Sequence, residues 1–211
     1  MLHGAGSSLY GADAFGGTIN IITRRTTPAS ASIEVGSWSL VSGRAQASGS
    51  ARGVQQLVSG AVSHSEGFMF ERQFDAVDLL SRTSFGRNTT LSVSHLRKDF
   101  GANGFYGAAP SHEWTNQTRV AVEQRLGRRG GWDVSGVASY RTHGDHFLFN
   151  VQRPGVSENF HRSHAVLATI KGSRAIGPSA SVTVGGEAGG DWIRSTNLRD
   201  HATNRVSAFG E

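Results

Sequence analysis

Apolar and polar residues alternate with a period of two along most of the chain. In residues 132–141 the even-numbered positions are Trp, Val, Gly, Ala and Tyr, and the odd-numbered ones are Asp, Ser, Val, Ser and Arg. Residues 118–126 and 181–192 repeat the pattern. Successive side chains of a β-strand point to opposite faces, whereas apolar residues of a helix recur at three and four positions. The alternation therefore predicts β-strands with one apolar and one polar face.

The connections between these segments alternate between short turns and long polar stretches. The short turns are predicted near residues 49–53, 86–88, 127–131 and 174–178. The long connections are predicted near residues 66–72, 98–115, 143–160 and 194–204. This order is typical of an up-and-down meander with tight turns at one end and long loops at the other. It predicts an all-β chain with about ten antiparallel strands between residue 31 and the end.

Strand spacing and aromatic positions favour a transmembrane β-barrel over a soluble β-sandwich. The strands recur roughly every 18 residues, whereas about 8–12 is usual in sandwiches. Trp132, Tyr140 and Trp192 lie at strand ends, where outer-membrane barrels carry aromatic girdles. Eight residues at ~3.3 Å each, tilted by about 40°, cover roughly 20 Å, near the ~25 Å apolar band of such barrels. A soluble β-rich binding domain, whose strands also alternate, is the alternative.

Composition excludes several classes of protein. The chain has 28 glycines among 211 residues and no cysteine, which suits many turns and excludes disulfide scaffolds, zinc ribbons and thiol nucleophiles. The basic residues behind the net charge of +5 are almost all arginines, and their longest runs are the pairs Arg24-Arg25 and Arg128-Arg129, so no basic face for nucleic acid is predicted. No stretch approaches the ~20 apolar residues of a spanning helix, and Met1 does not begin a signal peptide. For an outer-membrane protein this start leads us to expect an incomplete chain, from a truncated gene model or a fragment.

The first 24 residues differ from the alternating region. Residues 19–23, Ile-Asn-Ile-Ile-Thr, form a β-prone segment after a Gly-Gly turn, and Pro28 then interrupts the pattern as in a linker. Residues 4–24, GAGSSLYGADAFGGTINIITR, resemble the end of the plug domain of TonB-dependent receptors. The structural plug-motif positions are Tyr10, Gly11, Gly16, Gly17, Ile19, Asn20, Ile21 and Ile22.

The resemblance implies a domain organisation and a function. Residues 1–27 would end a plug domain, and residues 28–211 would form the first part of a β-barrel, about ten of the roughly 22 strands that surround a plugged lumen. Members of the family reside in the bacterial outer membrane, contact its lipid and take up a scarce ligand such as a metal chelate, cobalamin or oligosaccharide. Their partner is the TonB energy-transducing protein, whose binding box lies upstream in the family and is not in this chain.

The long connections contain the candidate ligand-binding residues. Aromatic side chains in exposed loops suit the capture of a partly apolar ligand, or they pack the loops on one another. Two His-x-x-His pairs flank the connection at 143–160, but residues i and i+3 of a strand point to opposite faces, so no metal site is predicted. The candidates are Phe105, Tyr106, Trp114, His143, His146, Phe147, His161 and His164.

Catalytic motifs are missing from the sequence. It contains no Gly-x-Ser-x-Gly elbow, no phosphate-binding loop and no dinucleotide-binding glycine pattern in a strand–helix context. We therefore expect no catalytic residues, no enzyme activity and no cofactor. Besides the receptor, a passive porin-type barrel without a plug is left open.

Overall fold

The computed structural model describes residues 2–3, 17–18, 26–155 and 157–210. Two short strands, β1 (Leu2–His3) and β2 (Gly17–Thr18), pair antiparallel. Ten further strands form one antiparallel sheet in which each strand pairs with its neighbours in sequence. Their bounds are β3 Ser30–Gly36, β4 Leu40–Ala51, β5 Val54–Ser65, β6 Phe74–Phe85, β7 Thr89–Gly101, β8 His112–Arg129, β9 Trp132–Leu148, β10 Glu158–Ala175, β11 Ser181–Ser195 and β12 His201–Gly210.

The predicted all-β meander of about ten strands is confirmed. The sheet is open, since its order runs from β3 to β12 without a pairing between these two edge strands. No helix occurs in the described part of the chain, and hence no helix there that is long and apolar enough to cross a membrane.

The two ends of the sheet differ as the sequence predicts. One end, the short-turn end, has connections at residues 52–53, 86–88, 130–131 and 176–180. The other, the long-loop end, has connections at residues 37–39, 66–73, 102–111, 149–157 and 196–200. The two-residue turn 130–131 consists of glycines with φ of 57° and 85°, a left-handed conformation that other residues rarely adopt.

Cross-strand register separates the side chains into two faces. Val166 pairs with Tyr140 on one side and Gly190 on the other, and Tyr140 pairs with Val120, so these residues share a face. We call it the apolar face. It bears the odd-numbered residues of β3, β4, β6 and β7 and the even-numbered residues of β5, β9–β12 and β8 as far as Gln124. We call the opposite side the polar face.

Charge is distributed very unevenly between the faces. On the apolar face Asp, Glu, Lys and Arg occur only near the strand ends, for example Arg162 and Arg174 on β10. The polar face also carries charges in the middle of its strands, including the ion pairs Arg82–Glu123 and Arg205–Asp191. Large apolar side chains of the apolar face are exposed.

The described chain has almost no apolar core. Ala102 and Ala121 are its only buried hydrophobic residues. By contrast Ile170 is 55% exposed and Val206 86% exposed on the apolar face. A water-soluble sandwich would cover such a face with a second layer, because exposed apolar area costs about 25 cal/mol per Å².

The strands extend further toward the long-loop end than the alternation pattern predicts. The loops span residues 102–111 and 149–157, not 98–115 and 143–160. The reason is that polar and aromatic residues there pair across strands as regularly as the apolar ones, for instance Trp114 opposite His146.

Candidate functional site

The long-loop end holds two loops that pack closely on each other. The loop at 66–73 crosses the end of β7 so tightly that a Cβ on Gly101 would lie 2.2 Å from the carbonyl carbon of Glu71. Asn103 donates its backbone N–H to the Glu71 carbonyl oxygen at 3.0 Å and its side-chain amide to the Phe70 carbonyl oxygen at 2.9 Å. Loops 66–73 and 102–111 are therefore joined into one unit.

A histidine between two carboxylates fixes this unit to the sheet. His112, at the start of β8, places Nδ1 2.7 Å from Glu71 Oε2 and Nε2 2.6 Å from Asp99 Oδ1. Each ring nitrogen is thus within hydrogen-bond distance of one carboxylate, so the imidazole bridges the loop and β7. The side chains of His112 and Glu71 are 11% and 12% exposed, which makes this a largely buried bridge.

Aromatic rings hold an arginine in the same unit. The guanidinium carbon of Arg72 lies 4.2 Å from the ring centroid of Phe105 and 5.5 Å from that of Phe68. Arg72 Nε is buried without a hydrogen-bond partner in the described part of the chain. Cation–π contacts of this kind restrict the guanidinium while leaving its outer N–H groups available.

These elements enclose a cleft of about 660 Å³ at the polar-face side of the long-loop end. Its two cations are Arg72 and Lys98, and neither forms an ion pair with a carboxylate among the described residues. Asp75, whose backbone borders the cleft, instead accepts from His64 on the apolar face at 2.8 Å. The aromatic lining residues are Trp38, Phe68, Phe74, Phe100 and Phe105. An apolar cleft with uncompensated positive charge suits a ligand that has an aromatic or apolar body and an anionic group.

A second aromatic group lies beside this cleft on the polar face. Tyr106 packs edge-on against Phe147, with ring centroids 5.0 Å apart, and donates to Glu113 Oε2 at 2.8 Å. This hydrogen bond, together with burial and the nearby negative charges of Glu113 and Asp145, raises the pKa of Tyr106 to about 12. The phenol therefore stays a neutral donor at physiological pH.

Of the eight predicted ligand-binding residues, only Phe105 and Tyr106 lie in a loop. The expectation that all eight are loop residues is wrong, because β8, β9 and β10 extend through the other six positions. Three of the six are on the apolar face, and three are on the polar face. The apolar-face residues are Trp114, His146 and His164, and the polar-face residues are His143, Phe147 and His161.

The two histidine pairs separate as the strand geometry predicts. His143 and His146 lie on opposite faces of β9, and His161 and His164 lie on opposite faces of β10. The described residues contain no group of three or more His, Cys, Asp or Glu side chains that would hold a metal ion. Nδ1 of His143, on the polar face, is buried with no hydrogen-bond partner in this part of the chain.

Most of the predicted plug motif lies outside the described residues. Gly17 belongs to β2 and pairs with His3. The other motif residues, on which the structure bears no information, are Tyr10, Gly11, Gly16, Ile19, Asn20, Ile21 and Ile22.

Local sequence patterns do not predict the residues that join the two loops and place the cation in the cleft. Glu71, Arg72 and His112 are distant in sequence and meet only through the fold. One indication was present, since the predicted long connection at 66–72 reads Glu-Gly-Phe-Met-Phe-Glu-Arg, as aromatic as the loop at 102–111.

Sequence comparisons with known proteins identify no relative of this chain. No protein-family model matches the chain, and no curated protein sequence matches it.

Proposed function

We propose that this chain forms ten strands of a bacterial outer-membrane β-barrel that binds and takes up a scarce ligand as a TonB-dependent receptor. The observation that carries the proposal is the two-faced sheet, which exposes its apolar side chains on one face and concentrates its charges on the other. In lipid the apolar face needs no covering layer, and the polar face lines a hydrated lumen.

The height of the uncharged band supports the membrane placement. On β10 the apolar face carries no Asp, Glu, Lys or Arg between Arg162 and Arg174, an interval of eleven residues, 163–173. Transmembrane β-strands use about 9–11 residues. Eleven residues at ~3.3 Å, tilted by about 40°, rise roughly 25–30 Å, the thickness of a bilayer's hydrocarbon region.

The edges of the sheet indicate how it is completed. The outer sides of β3 and β12 carry no strand partner in the described part of the chain. A lipid-embedded sheet cannot leave backbone N–H and C=O groups unpaired, because each costs several kcal/mol. We propose that further strands pair with β3 and β12 to close the barrel.

The receptor function rests on two further features. Residues 4–24 resemble the end of a plug domain, a segment that a passive porin does not need. The cleft between loops 66–73 and 102–111 offers aromatic rings and the cations Arg72 and Lys98 at the polar-face mouth of the sheet. We propose that a metal chelate, cobalamin or similar ligand is captured there, and that the TonB protein supplies the energy for its passage in the full-length receptor.

Cell fractionation tests the membrane part of the proposal. The chain, expressed with its native flanking sequence, should float with the outer membrane in a density gradient and resist extraction by alkaline carbonate. Recovery in the soluble periplasm would contradict the proposal and favour the soluble β-rich binding domain.

Energy dependence separates the receptor from the porin. In the encoding bacterium, deletion of the gene should reduce uptake of radiolabelled cobalamin or ferric citrate, and a protonophore should abolish the uptake that the gene provides. Gene-dependent uptake that continues in the presence of the protonophore would identify a passive channel.

A further inference from the structure

Three arginines lie in one cross-strand row at the long-loop boundary of the apolar band. Arg97 on β7 pairs with Asn116 on β8, Asn116 with Gly144 on β9, Gly144 with Arg162 on β10, and Arg162 with Arg194 on β11. All five residues are on the apolar face, and register places them at one level of the sheet.

Two of these arginines are direct cross-strand neighbours. Strands lie ≈ 4.8 Å apart, so the guanidinium groups of Arg162 and Arg194 emerge beside each other, an arrangement of like charges that destabilises a sheet on its own. Neither forms an ion pair with a carboxylate among the described residues. Asp145 and Asp200 also border the groove, but neither is within ion-pair distance of Arg162 or Arg194, and Asp145 belongs to the polar face. Both guanidinium groups are therefore without a carboxylate partner among the described residues.

Stacked aromatic and imidazole rings border the arginine row on both sides. Toward the loops, His146 stacks between Trp114 and Phe160, with centroid distances of 4.5 and 4.2 Å. Toward the apolar band, His164 stacks on Trp192 at 5.0 Å.

A groove of about 560 Å³ is lined by Arg162, Arg194 and the loop-side rings Trp114, His146 and Phe160. Gly144 at its centre has no side chain, and a Cβ there would lie 3.0 Å from the amide nitrogen of Asn116. The Asn116 amide therefore lies over Gly144 and lines the same groove as Arg162 and Arg194, as a further hydrogen-bond donor.

We propose that this groove binds the phosphate group of an anionic membrane lipid, with Arg162 and Arg194 as its two principal donors. Guanidinium groups bind phosphate oxygens bidentately, and two adjacent ones hold a single phosphate from both sides. The ring rows are amphipathic and suit the interface, and the apolar band next to Trp192 receives the acyl chains. The inference rests on the proposed placement of the apolar face in a membrane.

Vesicle binding with a matched control tests the inference. The protein, expressed with its native flanking sequence as in the fractionation test, is titrated with vesicles of phosphatidylcholine alone and of phosphatidylcholine with a minor fraction of phosphatidic acid. The test variant is R162Q/R194Q. The control is R119Q/R141Q, because Arg119 and Arg141 are also direct cross-strand partners but lie on the polar face. Both variants lose the same charge from the same kind of position.

We expect phosphatidic acid to strengthen binding of the wild-type chain and of the control variant. In R162Q/R194Q this gain should fall by roughly 25-fold, about fivefold for each arginine. R162K/R194K should keep most of the gain, because charge is retained while bidentate geometry is lost. Affinity for pure phosphatidylcholine should stay the same in all four proteins, which also reports that they fold alike.

The possible failures are distinguishable. If the wild-type protein with its native flanking sequence does not enter phosphatidylcholine vesicles at all, the proposed membrane placement is wrong. If it enters them but R162Q/R194Q and R119Q/R141Q respond equally to phosphatidic acid, the lipid site is wrong while the placement stands. If phosphatidic acid gives no gain, while inorganic phosphate binds the wild-type protein and not R162Q/R194Q, the groove takes free phosphate and not a lipid headgroup.

Discussion

The two faces of the sheet follow the same strands and the same register, yet they are built differently. On the apolar face of the central strands, side chains such as Val166 and Ile170 stand exposed and repeat with little specific pairing. On the polar face, charged and hydroxyl side chains pair across strands, as Ser173 does with Thr183 at 2.9 Å. The same backbone register thus carries exposed apolar side chains in the middle of one face and paired polar side chains on the other.

A charge placed in the apolar band should have the largest effect. Ala168→Arg puts a guanidinium in the middle of the band on β10. In lipid vesicles this should lower the free energy of unfolding by roughly 2–4 kcal/mol, since an arginine at the bilayer midplane loses its hydration. Denaturant titration of the vesicle-bound chain measures the change.

The adjacent residue provides the control for this substitution. Thr169→Arg adds the same group to the polar face, opposite Glu187 in the register. Its effect should be near zero, because water and a carboxylate are both within reach. Equal losses from the two substitutions would show that the faces do not differ in environment.

Filling the space between Gly101 and the backbone of loop 66–73 should have the next largest effect on stability. Gly101→Ala places a Cβ against the Glu71 backbone, which cannot yield as a flexible side chain would. We expect a loss of about 1–3 kcal/mol from overpacking and faster hydrogen exchange in residues 66–73. Gly49→Ala is the control, because a Cβ there meets nothing within 4 Å. Unchanged exchange in the loop would contradict the close packing.

The cleft should distinguish anionic from neutral aromatic ligands. Naphthalene-1-sulfonate should bind more tightly than naphthalene-1-methanol. Arg72→Met should lower the ratio of the two affinities about tenfold, as expected for the loss of a charge-assisted hydrogen bond of ~1.5 kcal/mol. Arg44→Met, on the polar face but outside the cleft lining, is the control. Calorimetry in detergent measures the affinities of both variants for the two ligands. Equal losses in the two variants would argue against a specific anion site.

The smallest expected effect concerns pH. Because the pKa of Tyr106 is raised to about 12 from its ordinary value of 10.0, the folded state holds this proton more tightly than the unfolded state. The resulting stabilisation is complete below pH 10 and is lost as the pH rises from 10 to about 12. Absorbance titration should show one phenol ionising late, and Tyr106→Phe should remove that step. Its persistence in the variant would assign it to another tyrosine.

The fold was largely predictable from the sequence because alternation is a local property. Residues 132–141 show both faces of β9 directly, and glycines mark the turns at 86–88 and 130–131. The strand ends were less predictable. Around Trp114 and His146 the residues are polar or amphipathic, so their hydrophobic pattern is weak although they pair regularly.

The candidate site was predictable only in part. Phe105 and Tyr106 were found because aromatic residues in a loop are conspicuous within one segment. The bridge from Glu71 through His112 joins residues 41 positions apart, and no local pattern reports such a contact. Likewise the pairing of Arg162 with Arg194 depends on the register of β10 and β11, which alternation alone does not specify.

Single-cysteine labelling along β10 tests the central claim most directly, because the chain has no cysteine of its own. Each position from 163 to 173 is replaced by cysteine in turn, and the vesicle-bound variants are treated with a charged, water-soluble maleimide. We predict that odd-numbered positions such as Leu167 react and that even-numbered positions such as Ala168 are protected by lipid. Uniform reactivity, or faster reaction at the even-numbered positions, would contradict a sheet whose apolar face is embedded in a membrane.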